Sequence, residues 1–142
     1  MAKAREVMDS LSAAAVDQHD PDAVVSHYTD DAVMLTPDAG EVRGTERITE
    51  YWRRFLQSFP DVGFEVLRTH EAGDAAINEG WWTGHNTEPL TLPTGAVLPA
   101  TDQPVRFRGC HIATVVGDRI REHHLYFDQL ELLTQLGLAQ GQ

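Results

Sequence analysis

Between Gly44 and Pro60 the apolar residues Ile48, Tyr51, Trp52, Phe55, Leu56 and Phe59 recur at i, i+3, i+4, i+7, i+8 and i+11. That spacing makes one unbroken stripe along a helix. Arg47, Glu50, Arg53 and Arg54 fall on its other side, Gly44-Thr45 opens it and Pro60 ends it. A second helical pattern, carried by Val7, Met8, Leu11, Ala14 and Ala15, runs from Ala4 to about Gln18. Asp20-Pro21 then starts a short helix, with Asp20 as its cap and Pro21 in its first turn; Val24, Val25 and Tyr28 form its apolar side. Asp30-Asp31 reads as a turn, Ala32–Thr36 as a short strand, and Pro37-Asp38-Ala39-Gly40 as the break after it.

Beyond Pro60 the period changes from helical to the two-residue repeat of strands. Val62, Phe64 and Val66 alternate with polar neighbours, and Gly73-Asp74 turns into a strand from Ala75 to about His85. Residues 86–102 contain Pro89, Pro93 and Pro99 and form a long loop, the lid or the rim of a pocket. Val105–Val116 and Ile120–Asp128 make a hairpin about Gly117-Asp118, and a last helix from Gln129 to Leu136 stops at Gly137. Helices followed by a meander predict an α+β fold. The expected shape is a cone-shaped barrel of strongly curved, mostly antiparallel sheet, with helices closing one end around an interior. Residues 1–142 form a single domain.

Charge narrows the function. The 22 acidic residues exceed the 11 basic ones, for a net charge of −11. That field repels phosphate backbones and anionic lipid, so the expectation is no nucleic acid and no membrane. No apolar run reaches the length of a membrane span, and the N-terminus lacks a signal-peptide block, which points to a cytoplasmic protein. The single Cys110 excludes an internal disulfide and, lying within an apolar strand, reads as a buried inert thiol. His123 and His124 point apart as strand neighbours, and His70 and His85 stand alone, so no metal site is expected. Triad spacings, glycine-rich phosphate loops and paired cysteines are all missing.

Alternation along the final hairpin selects the candidates. Val105, Phe107, Gly109, His111, Ala113 and Val115 share a face that is mostly apolar and should look inward. The matching set on the partner strand is His124, Tyr126 and Asp128, although Leu125 and Phe127 make its other face apolar too. Both faces would then be buried, one in the pocket and one against another subunit. Asp128 has two readings: a carboxylate at the mouth of an apolar pocket, usable as a base, or the N-cap of the last helix. His111 is either a core histidine or a proton carrier paired with Asp128. One of Trp81 and Trp82 lines the pocket and the other packs outside; Asn78 or Glu79 adds a polar group.

Four stretches, HDPDAVVSHYTDDAVML (19–35), RGTERITEYWRRFLQSFPDVGFEV (43–66), WWTGHNTEPL (81–90) and DRIREHHLYFDQLELLTQLGL (118–138), together resemble the nuclear-transport-factor-2-like superfamily. Within it the chain is most similar to the SnoaL-like polyketide cyclase and ester cyclase group. The resemblance implies a cone-shaped fold that dimerises through its outer sheet face. It also implies a cofactor-independent, isomerase- or lyase-type enzyme acting on a hydrophobic, polyketide-like carbonyl compound by aldol-type cyclisation or related proton transfer. Asp128 matches the family's acid/base aspartate. His111 matches its inward histidine, with His124 as a second donor. Tyr126, Trp81, Trp82, Trp52, Tyr51, Tyr28 and Asn78 would shape the cavity. Non-catalytic ligand-binding modules, epoxide hydrolases, isomerases and dehydratases share the superfamily. The strand AAINEGWWTG lacks the Arg-x-Asp pair of the epoxide hydrolases, and His111 stands where the ketosteroid isomerases carry a protonated acid.

Overall fold

The computed structural model of the chain describes residues 3–92 and 94–138. Helix α1 (Ala4–Ser12) continues through a π-helical stretch, Ala13–Asp17, and buries Val7, Met8, Leu11, Ala14 and Ala15. Helix α2 (Pro21–Val25) starts as its sequence demands: Asp20 accepts hydrogen bonds from the amides of Asp22 and Ala23, and Pro21 takes the first turn. Helix α3 (Thr45–Ser58) buries Ile48, Tyr51, Trp52 and Leu56 along its stripe. Each such side chain contributes about 1.5–3 kcal/mol when withdrawn from water.

Eight strands follow the helices or separate them: β1 (Tyr28–Thr36), β2 (Gly40–Arg43), β3 (Gly63–Ala72), β4 (Ala75–His85), β5 (Leu90–Thr91), β6 (Val97–Leu98), β7 (Pro104–Val116) and β8 (Arg119–Phe127). Six form one sheet in the order β2-β1-β8-β7-β4-β3. Every pairing is antiparallel except that of β1 with β8. The sheet curves around the helices as an α+β layer. Its edges, β2 and β3, do not pair with each other, so the sheet is not closed into a barrel.

Several local expectations change. Asp30-Asp31 is not a turn: β1 starts at Tyr28 and absorbs the pair in an irregularity between Tyr28 and Val33. The break at Pro37–Gly40 leads straight into β2. On β3, Val66 and Leu67 are exposed, because the strand is an edge whose register slips between Val66 and Arg68 beyond the helices. The loop at 86–102 is folded, with the small hairpin β5–β6 inside it. Its anchor is Asn86, fully buried: Oδ1 accepts from the Thr101 amide and hydroxyl, and Nδ2 donates to the carbonyls of Ser58 and Glu88.

Helix α4 (Gln129–Gln135) seals the end of the sheet where β8 stops short of β7. Glu131 and Gln135, one turn apart, accept from the unpaired amides of Arg108 and Arg106 at 2.8 and 2.6 Å. Gln135 Nε2 also donates to the Arg106 carbonyl at 2.8 Å. These side chains take the place of the neighbouring strand that β7 lacks there.

Candidate functional site

In an antiparallel pair, directly opposed residues point to the same face. Ala113 lies opposite His123, His111 opposite Leu125 and Gly109 opposite Phe127. The inward companions of His111 are therefore the odd-numbered residues of β8. The expected set of His124, Tyr126 and Asp128 is corrected: it lies on the outer face or at the strand end. A register slip between Thr114 and Val115 is the physical reason, since it lets both Ile120 and His123 turn inward although they stand three apart. His124 is half-buried beside Glu122, and Tyr126 is exposed. Asp128 is exposed as well; its Oδ1 accepts the Glu131 amide at 2.9 Å, the N-cap of α4. It makes no pair with His111.

The two tryptophans divide. Trp82 is buried in the interior, while Trp81 lies outside with the Arg106 guanidinium 4.2 Å above its ring. Cys110 is also on the outer side, half-buried rather than buried; burial and the nearby Glu79 push its thiol up, which keeps it unreactive. With Leu67, Glu79, Arg108, Tyr126 and Asp128, Trp81 and Cys110 border an outer groove of about 400 Å³.

Inside, two glycines make the room. Gly80 and Gly109 are cross-strand partners on the inner face. A Cβ at Gly109 would sit 2.5 Å from the Trp82 ring, and one at Gly80 would strike the backbone carbonyl of Glu65. The rings of Trp82 and Phe64 fill this seat, with centroids 4.6 Å apart. His111 stands against both, 5.2 Å from Phe64 and 6.3 Å from Trp82.

A chain of polar groups starts at that histidine. His111 Nδ1 lies 3.0 Å from His123 Nε2, and His123 Nδ1 lies 2.7 Å from Tyr28 Oη, which Trp52 Nε1 reaches at 3.2 Å. All four side chains are at most 2% exposed. Burial holds His111 down to about 4, helped by the positive charge of Arg5. It drives His123 well below the usual imidazole range, with His111 and His124 adding to the effect. Burial also raises the Tyr28 phenol, so at neutral pH all are uncharged. His111 Nε2, fully buried, has no hydrogen-bond partner among the described residues. Asn78, the cross-strand neighbour of His111, is buried too, and its Oδ1 accepts from Arg5 of α1. Arg5 also donates to the carbonyls of His70 and Ile77.

The interior opens at the end covered by α3, β5 and α4. There a cleft of about 60 Å³ is lined by Asp38, Tyr51, Phe55, Phe59, Leu90 and Leu132, with further residues of α4. That volume holds about two waters. Phe55 connects it to the deeper rings, 5.4 Å from Trp82. The carboxylate on the cleft is Asp38, to which Tyr51 Oη donates at 3.0 Å; burial, then Asp38 itself, raises the Tyr51 phenol. Asp38 went unnoticed in the sequence because Pro37–Gly40 reads only as a strand break. Its position at the end of a strand that borders the helix stripe was the available signal. Among the described residues, no three His, Cys, Asp or Glu side chains gather to hold a metal ion, and no helix is long and apolar enough to cross a membrane.

A bent sheet wrapped on helices around a buried interior is the architecture of the nuclear-transport-factor-2-like proteins. The SnoaL-like domain model matches residues 10–123, and the chain belongs to that family. Among solved structures, it is similar to a provisionally named SnoaL-like polyketide cyclase from Jannaschia sp. CCS1, with TM-score 0.82 and 18% identity over 96% of this chain and 92% of that one. A provisionally named polyketide cyclase from Acidithiobacillus ferrooxidans gives TM-score 0.77 and 22% identity, over 98% and 97%. An NTF2-like protein from Burkholderia thailandensis E264 gives 0.75 and 21%, over 96% and 98%. Comparison with the curated proteins found no match.

Proposed function

We propose that the chain is a cofactor-independent enzyme that moves a proton at the carbon next to a carbonyl in a hydrophobic, polyketide-like compound. The observation that carries this reading is the His111 Nε2, buried without a partner among aromatic rings. A buried polar atom with nothing to bond costs about 1–3 kcal/mol, and a ligand oxygen would remove that cost. An imidazole held uncharged can stabilise the negative charge that builds on a carbonyl oxygen as a proton leaves the neighbouring carbon.

Asp38 is the base in this reading. It sits on the cleft, oriented by Tyr51, and takes the proton while the carbon–hydrogen pair moves into the enolate facing His111. The ligand passes Phe55 and displaces Trp82 or Phe64, because the cleft is far below the roughly 300 Å³ of ordinary ligand pockets. The outer groove, with Leu67, Trp81 and Tyr126, is the surface through which we expect a homodimer, to be checked by mass in solution.

The test is hydrogen exchange into α-tetralone in heavy water, followed by mass spectrometry. Exchange above background that falls about a hundredfold in His111→Phe supports the reading, the loss expected for one oxyanion donor. Binding without exchange would instead make the protein a ligand-binding module of the same fold.

A further inference from the structure

The polar chain in the interior has a direction, and one end sets it. The Trp52 indole N–H can only donate, so Tyr28 Oη must accept it. The phenol keeps its proton in this buried place, and the other polar atom it reaches is His123 Nδ1. Tyr28 therefore donates and His123 Nδ1 accepts. An uncharged imidazole carries one N–H, so that of His123 lies on Nε2, facing His111 Nδ1. The same step repeats: His111 Nδ1 accepts and the hydrogen lies on Nε2, the atom without a protein partner. Reversing one histidine link alone would set two donors, or two bare acceptors, against each other, and reversing both would leave the buried Tyr28 hydroxyl hydrogen with no acceptor.

We propose that Trp52, Tyr28 and His123 are positioning residues that hold His111 in its Nε2–H form, aimed at an acceptor oxygen of the ligand. The inference rests on reading His111 as the group that meets the ligand, and it specifies the chemistry at that point. A carbonyl, enolate or other acceptor oxygen completes the chain. An ammonium group would meet another donor and is rejected. It also assigns His111 an electrophilic role, since Nδ1 is occupied by His123 and Nε2 already carries hydrogen. The base must be a different group. Successive donors polarise one another, so the last N–H is a stronger donor than an isolated imidazole.

The direction is legible without any substrate. Nitrogen NMR of labelled, ligand-free protein reports which ring nitrogen of each histidine carries hydrogen. The expected wild-type result is bare Nδ1 and protonated Nε2 in both His111 and His123 at pH 7. Tyr28→Phe keeps the ring and removes the hydroxyl, and Trp52→Phe removes the donor that starts the chain. In each, the His111 and His123 signals should move toward a mixture of the two forms. In each, kcat/KM for α-tetralone exchange should drop roughly five- to tenfold with little change in KM, the effect of one buried hydrogen bond. A His111 with hydrogen on Nδ1, or charged at pH 7, overturns the proposal. So do nitrogen signals that stay fixed in both folded variants. The stated tautomers with no exchange on any carbonyl compound would remove the enzymatic reading and leave the direction of the chain standing.

Discussion

Asp128 is where the family resemblance and the structure pull hardest against each other, and substitution separates them. Its Oδ1 accepts the amide of Glu131 at 2.9 Å from the N-cap position of α4. Removing such a cap costs about 1 kcal/mol, whereas Asn caps nearly as well as Asp. Asp128→Ala should therefore lose about 1 kcal/mol by urea unfolding, a fall in Tm of about 4 °C for a chain of this size. The loss stays near that figure because Glu131 and Gln135 hold α4 to β7 independently. Asp128→Asn should keep both the stability and the α-tetralone exchange of the wild type. The discriminating result is kinetic: if Asp128→Asn retains its Tm but loses more than tenfold in exchange, the carboxylate is chemical and the capping account fails.

Other expectations follow from the interior. Because burial in the folded state holds His111 near 4 and His123 well below the usual imidazole range, the unfolded chain binds more protons below its imidazole pKa of about 6.5. Stability is thus fully present above that pH and falls as the pH drops from 6.5 toward 4, by up to about 1.4 kcal/mol per pH unit for each ring; urea midpoints at pH 7, 6 and 5 would show it, and a flat profile would contradict it. Gly109→Ala places a methyl 2.5 Å from Trp82 and should destabilise by about 1–3 kcal/mol while shifting tryptophan fluorescence. Asn86→Ala leaves the Thr101 amide and the Ser58 carbonyl without their partner. It should cost about 2 kcal/mol and make residues 86–102 the first site cut by protease, whereas wild-type resistance there would argue against Asn86 as the anchor.

Local rules carried the helices and most strand boundaries. Period and punctuation suffice for α3, and the Asp20-Pro21 start of α2 is read directly from two residues. The lost pieces depend on partners far away in the chain. β2 is invisible because Gly40–Arg43 buries only Val42 and exists through its pairing with β1. The inward face of β8 is not legible in the sequence because a two-residue period cannot register a slip between paired strands, here between Thr114 and Val115. His111 was found by alternation alone, within an unbroken run of β7. Its companion His123 is placed by the same alternation on the opposite face from His124, and only the cross-strand register brings it inward. Tyr28 and Trp52 were named for their rings, yet their role here lies in an oxygen and a nitrogen brought together with a histidine 95 positions from Tyr28.

The unpartnered N–H of His111 cannot be designed away by changing His111 itself, and this gives the sharpest consequence of the chain's direction. A buried unpaired donor is a standing cost of about 1–3 kcal/mol. Replacing His111 by Phe, a ring of similar bulk, would remove it if the donor belonged to His111 in isolation, and the protein would gain stability. In a directed chain the donor is inherited: without His111, the Nε2–H of His123 loses its acceptor and becomes the new orphan, in a site that is fully buried. His111→Phe should therefore leave stability unchanged or reduce it by about 1 kcal/mol in urea unfolding at pH 7. A gain of more than 1 kcal/mol would refute the coupling of the two rings, because it would mean that His123 Nε2 does not rely on His111 as its buried partner. Only an acceptor supplied from outside removes the orphan while keeping every link. That is the condition a carbonyl ligand would meet if it replaced the aromatic packing over His111, as the proposed function requires.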